Sequence, residues 1–189
     1  TAVLSFSCST TRVLGDGQFR LADNKVVVDN DRKFNTKEIE SYIKQKPNSY
    51  IIFGWNPFLN IYNWSGKNAD KGINKFLREI GTAPVVYQPS QVEASVENIN
   101  RHLEYLGYYG SDVRSEVRVN GKRVTVTYSV TLGRRYRIGN VSFAVPDGEF
   151  KEDFYADTAA VSIRPGDFLS EDALEKETER AASMFRRKG

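Results

Sequence analysis

Cysteine and histidine are almost absent. The 189-residue chain has one of each, Cys8 and His102. A lone cysteine excludes an internal disulfide and a cysteine-based zinc cluster. A lone histidine excludes the common multi-histidine metal sites, so no cofactor is expected. No run of 18 or more apolar residues occurs, and no segment reads as a membrane-spanning helix. A large charge of one sign is also missing. Lys and Arg number 27 against 24 Asp and Glu, a net charge of +3, well short of a dedicated nucleic-acid binder. Gly-x-Ser-x-Gly and phosphate-loop patterns are absent. The acidic pairs Asp29/Asp31, Glu152/Asp153 and Glu171/Asp172 fall at loops or helix starts, where carboxylates favour the helix dipole. His102 flanks Arg101 on a helix and has no company that would make it a base. Catalysis is therefore not expected. Apolar residues at 40% and aromatics at 12% are enough for a folded core and too many for disorder.

The first residues, Thr1-Ala2-Val3-Leu4-Ser5-Phe6-Ser7-Cys8-Ser9, pass abruptly from apolar to polar. This resembles the end of a secretory signal at a bacterial lipoprotein cleavage site, with Cys8 as the lipidated residue. Ser5 stands where such sites usually carry Leu. The alternative is an inert cysteine. Residues 1–24 are read as signal remnant, lipidation site and tether, because Ser9–Asn24 is polar, glycine-containing and aperiodic.

Lys25–Asp29 is β-branched and reads as a strand. Asn35 and Glu38 form a capping-box pattern before Ile39, Tyr42 and Ile43. Tyr50–Trp64 carries Phe53, Trp55, Phe58 and Trp64 without clear period. It reads as a long loop pinned by its own aromatics, or as a face for a partner or membrane interface. Ile73, Phe76, Leu77 and Ile80 mark an amphipathic helix stopped by Gly81. Ser90 with Glu93 caps the clearest helix, whose stripe is Val92, Val96, Ile99, Leu103 and Leu106. Val113–Val119 and Val124–Leu132 alternate about an Asn120-Gly121 turn, a hairpin with one apolar face. Tyr136–Phe143 reads as a further strand with a bulge at Gly139-Asn140, and Phe150–Tyr155 as a helical turn. Ser170 caps a last helix with Leu174, Thr178, Ala181 and Phe185 on one face, and Leu169 placed to staple Leu174.

These elements form an α+β chain: a βααββ unit at 25–133 with an aromatic inter-helix loop, and the start of a second such unit at 134–189. One strand and one helix face do not close a core, so either further chain or a partner is expected to complete the second unit. The βααββ order resembles POTRA (polypeptide-transport-associated) domains. The passage Leu103-Glu104-Tyr105-Leu106-Gly107-Tyr108-Tyr109 into the Val113 strand carries the resemblance. So does Gly133-Arg134-Arg135-Tyr136-Arg137-Ile138-Gly139-Asn140-Val141-Ser142-Phe143, which looks like the usual start of the next repeat. Ile43-Lys44-Gln45-Lys46-Pro47-Asn48 and the aromatics after it resemble the BamA/TamA (Omp85) outer-membrane proteins of Bacteroidetes, whose lipidated members are called TamL.

The resemblance implies a periplasmic arm on the outer membrane that holds unfolded outer-membrane client polypeptides or docks periplasmic accessory proteins. Membrane attachment would come from the lipid anchor and a C-terminal barrel not found in these residues. An extended chain can add to an open sheet edge. The expected edge is Val113, Arg114, Ser115, Glu116, Val117, Arg118 and Val119, where charges also guard against self-pairing. Phe53, Trp55, Phe58 and Trp64 form the second expected interface. A lipoprotein scaffold for fixed envelope partners is the alternative. Nucleic acid is not an expected partner, since the exposed sheet face carries Ser and Thr rather than aromatics.

Overall fold

The strand expected at Lys25–Asp29 is longer than its β-branched run. In the computed structural model, which describes residues 10–49, 56–68 and 72–188, β1 spans Arg20–Val28. It begins within the stretch read as tether. Leu14 and Leu21 are buried, and Lys122 Nζ donates to the Leu14 and Gly15 carbonyls. Pairing overrides the weak strand preference of Ala22-Asp23-Asn24: Leu21 N–H donates to Val85, and Tyr87 N–H to Phe19.

β2 (Asp112–Asn120) and β3 (Arg123–Thr131) form the expected hairpin. Its connection is Gly121-Lys122, one residue beyond the expected Asn120-Gly121. Gly121 has φ 58, a conformation open to glycine without strain. The sheet order is β1-β3-β2. Arg20 N–H donates to Lys122 C=O at one end and Asp29 N–H to Val130 C=O at the other. Both partners advance together, so β1 runs parallel to β3 and the sheet is mixed. Val124, Val126, Tyr128 and Val130 of β3 are fully buried, each contributing roughly 1.5–3 kcal/mol. β2 departs from its expected apolar face. Only Val113 is buried, whereas Val117 and Val119 are 39% and 56% exposed, because no described element covers the far end of this strand.

Among the described residues, four helices lie between β1 and β2: α1 (Lys37–Glu40), α2 (Pro57–Trp64), α3 (Gly72–Ile80) and α4 (Pro89–Tyr105). The capping box at α1 does not close. Asn35 accepts from Lys37 N–H, but Glu38 does not reach back; Thr36 instead bonds Glu40. Residues 57–64 are a helix rather than loop. Asn56 caps it by accepting from Leu59 N–H at 2.9 Å, and Pro57 supplies the first helical position. α4 begins at Pro89, so Ser90 lies inside it rather than capping it. Its stripe holds as expected: Val92, Ile99 and Leu103 are buried, together with Ser95.

The chain divides into two compact units. One comprises Thr1–Val27, Asn35–Asn98 and Val113–Ser129; the other comprises Val28–Phe34, Ile99–Asp112 and Val130–Gly189. In the first, two side-chain amides hold the extended segment 83–88. Asn48 bonds Ala83 C=O and Val85 N–H, and Gln45 bonds Val86 C=O and Gln88 N–H. In the second, α5 (Glu149–Ala156) and α6 (Glu171–Lys188) bury Phe154, Val161 and Met184. Ser170 caps α6 as expected, accepting from Ala173 N–H at 3.1 Å.

The strand expected at Tyr136–Phe143 does not form. Only isolated bridges pair Tyr109 with Arg134 and Arg137 with Phe168, since no described strand lies alongside to continue a ladder.

Candidate functional site

A sheet offers a binding edge where a strand has a neighbour on one side only. β3 is central, so β1 and β2 are the two edges. At β1, the Val85 and Tyr87 backbone already occupies the positions beside Phe19 and Leu21. β2 has no strand on its outer side among the described residues. It is therefore the less obstructed edge.

The hairpin connection sets which groups face outward. With two connecting residues, Asn120 and Arg123 make the closing hydrogen-bonded pair, and bonded and non-bonded pairs then alternate along β2. Arg114, Glu116 and Arg118 direct their peptide groups toward β3. Val113, Ser115, Val117 and Val119 direct theirs outward. The residues that offer backbone groups are thus those whose side chains form the apolar row, uncovered beyond Val113. An extended peptide alongside would find hydrogen-bond partners at Ser115, Val117 and Val119, and apolar contact at both valines.

The charged row lies on the opposite face. Arg118 Nε donates to Glu116 at 3.0 Å, with both side chains largely exposed. Such a pair contributes at most about 1 kcal/mol. It leaves the edge polar on one face and apolar on the other.

The other expected site residues are not gathered at this edge. Cys8, Phe53 and Trp55 lie outside the described residues. Phe58 and Trp64 sit on α2, 44% and 61% exposed. α2 packs against α3 as a helical hairpin: Thr82 N–H donates to Phe58 C=O, and Arg78 lies over the Tyr62 ring while bonding Ser65 and Gly66. The sequence shows α3 as amphipathic, with a face that should be buried. Its apolar residues Ile73, Phe76 and Ile80 are instead exposed. Their spacing of three and four revealed the shared face but not its direction.

In the basic segment Arg134-Arg135-Tyr136-Arg137, Arg135 is half-buried while Arg134, Tyr136 and Arg137 are exposed. Arg135 lies over the rings of Tyr108 and Phe168, and Arg137 over Phe168. Beside it, Tyr105 donates to Glu175 at 2.8 Å with Asp172 at 3.3 Å, and these acceptors raise the phenol pKa. On α6, the Glu177 carboxyl is lowered to about 2. The Arg180 hydrogen bond is the main cause and the Ser162 bonds add to it, against the opposing effect of burial.

Comparison with known families matches residues 24–133 to the POTRA model, described as surface antigen variable number repeat. No curated protein matches the chain.

Proposed function

Because the chain belongs to the POTRA family, matched over more than half its length, we propose that β2 receives extended polypeptides by strand addition in the bacterial periplasm. POTRA domains are in general non-enzymatic, periplasmic polypeptide-binding modules of Omp85-family outer-membrane proteins. On this reading the chain is part of the periplasmic arm of a BamA/TamA-type assembly or translocation factor, of the lipidated TamL kind. Cys8 carries the anchor, and unfolded outer-membrane polypeptides are the clients. One observation carries the reading: β2 lies at the sheet edge with Val117 and Val119 uncovered. Backbone pairing there tolerates many client sequences, as relay of different chains requires.

The test is photocrosslinking from a reactive residue placed at Val119, with an unfolded outer-membrane polypeptide as probe. Val117→Pro removes an outward N–H and should reduce crosslinking about tenfold while the circular dichroism spectrum is unchanged. Unchanged crosslinking in the folded variant would overturn strand addition. Labelling confined to fixed accessory proteins would replace client relay with a scaffold role.

A further inference from the structure

The α3 helix is amphipathic, yet none of its residues is buried. An amphipathic helix of a folded domain ordinarily turns its apolar stripe toward the core. Here the stripe faces out, and its exposure climbs toward the N-terminal end: Ile80 45%, Phe76 59%, Ile73 77%. On α2 the same trend runs toward the connection between the two helices, with Trp64 more exposed than Phe58.

The contacts between the helices account for the gradient. Thr82 N–H donates to Phe58 C=O, and Gly81 lies so close to Tyr62 that a Cβ would come within 2.6 Å of its backbone nitrogen. Arg78 bonds Ser65 and Gly66, and Asn74 donates to Asn68 C=O at 2.6 Å. The C-terminal end of α3 is therefore pinned against α2, and its N-terminal half lies beside the chain that follows α2. All of these residues belong to one compact unit. The most exposed apolar side chains thus sit at the tip of a braced helical hairpin.

The charge around that tip indicates what it meets. Residues 57–80 carry four Lys or Arg against two Asp or Glu, so two of the chain's three net positive charges fall here. Lys67 follows the end of α2 and Lys75 stands between Ile73 and Phe76 in sequence; both are exposed. Lys67 pairs with Asp16 at 3.5 Å, but both partners are open to solvent and such a pair holds weakly. No helix among the described residues is long and apolar enough to cross a membrane. Exposed Trp, Phe and Ile beside cations are instead the composition of an element that lies in a membrane interface, where Trp suits the boundary between headgroups and acyl chains.

We propose that the α2–α3 hairpin docks on an anionic phospholipid surface. Trp64, Ile73 and Phe76 enter the boundary layer, and Lys67 and Lys75 meet the phosphates. Phosphate headgroups satisfy those ammonium groups, whereas an apolar protein face would strand them without partners. The proposal does not depend on strand addition at β2 or on a lipid at Cys8.

Vesicle binding by the unlipidated 189-residue chain tests it. A Trp55→Phe background leaves Trp64 as the one tryptophan. Vesicles of phosphatidylglycerol and phosphatidylcholine in equal parts should shift Trp64 emission to the blue, and brominated acyl chains should quench it. Co-sedimentation of the wild-type chain with the same vesicles gives the second readout. Ile73→Ser combined with Phe76→Ser should weaken partitioning at least about tenfold with the circular dichroism spectrum unchanged, because both side chains are already exposed. Lys75→Gln should weaken it about fivefold on the anionic vesicles and not on pure phosphatidylcholine. A chain that neither sediments with the vesicles nor changes its Trp64 emission would overturn the proposal. So would partitioning that survives the double serine substitution. A blue shift that rises with protein concentration in the absence of lipid would assign the tip to a second copy. One that needs an added envelope protein would assign it to a protein partner. Either result overturns lipid docking.

Discussion

The Arg135 guanidinium lies 3.9 Å from the centre of the Phe168 ring, which also carries Arg137 at 4.3 Å. A cation over an aromatic face is held by the ring quadrupole and gains as water is excluded. Here it joins the chain after β3 to the turn before α6, where Leu169 N–H donates to Tyr136 C=O. Replacing Phe168 with Ala should destabilise this region by about 1–2 kcal/mol and speed exchange at the Ile138 and Leu169 amides. Arg135→Lys should cause part of the same loss, since an ammonium cannot stack as a flat guanidinium does. Amide exchange with no change at those two positions would show that the stack does not hold the bridge.

Gly107 ends α4 with φ +88, and a Cβ placed there would strike the Leu169 carbonyl. Gly121 has a similar φ of +58 but open space around it. Both substitutions to Ala incur the left-handed backbone cost, about 1 kcal/mol. Gly107→Ala must also displace a backbone carbonyl, so its loss should exceed that of Gly121→Ala by at least about 1 kcal/mol in denaturant midpoints. Equal losses would mean that the 169–170 backbone yields freely.

The long-period features were legible in the sequence. The α4 stripe, the β3 alternation and the Ser170 cap arise from local spacing, and each is found in place. The departures have tertiary causes. Ala22, Asp23 and Asn24 become strand because Leu21 pairs with Val85, a partner 64 positions away and invisible to a local pattern. The α3 and α6 stripes name an apolar face without saying whether anything covers it. The same limit applied to Val117 and Val119: alternation marked the apolar row, and only the position of β2 at the edge shows it bare. The α2 helix was different. Asn56-Pro57 is a legible N-terminus, and the aromatics around it obscured the signal.

That cap is itself testable. Asn56 is buried, accepts from Leu59 N–H, and donates to Ser49 C=O at 2.6 Å. Asn56→Ala orphans a helix donor and a loop acceptor together. The expected loss is about 1–2 kcal/mol, and Asn56→Asp should keep the cap while losing the bond to Ser49. Thermal midpoints in the order wild type, Asp, Ala would confirm both bonds. An Ala variant as stable as wild type would remove the cap from the account of α2.

Glu177 sets a pH dependence whose sign follows from its partners. Its folded-state pKa of about 2 lies below the ordinary 4.5, because Arg180 and Ser162 hold the ionised form. A depressed carboxyl stabilises the fold above its unfolded pKa, and that stability is lost as pH falls through the folded value. The contribution should therefore be intact at neutral pH and decline between about pH 5 and pH 2, with a total of no more than about 2 kcal/mol after solvent screening. Glu177→Gln keeps the shape and removes the charge. Its denaturant midpoint should fall below wild type at pH 7, and the gap should close as the pH is lowered toward 2. A gap that stays constant over that range would show that Glu177 acts through packing and neutral hydrogen bonds alone, with no ionic hold on Arg180.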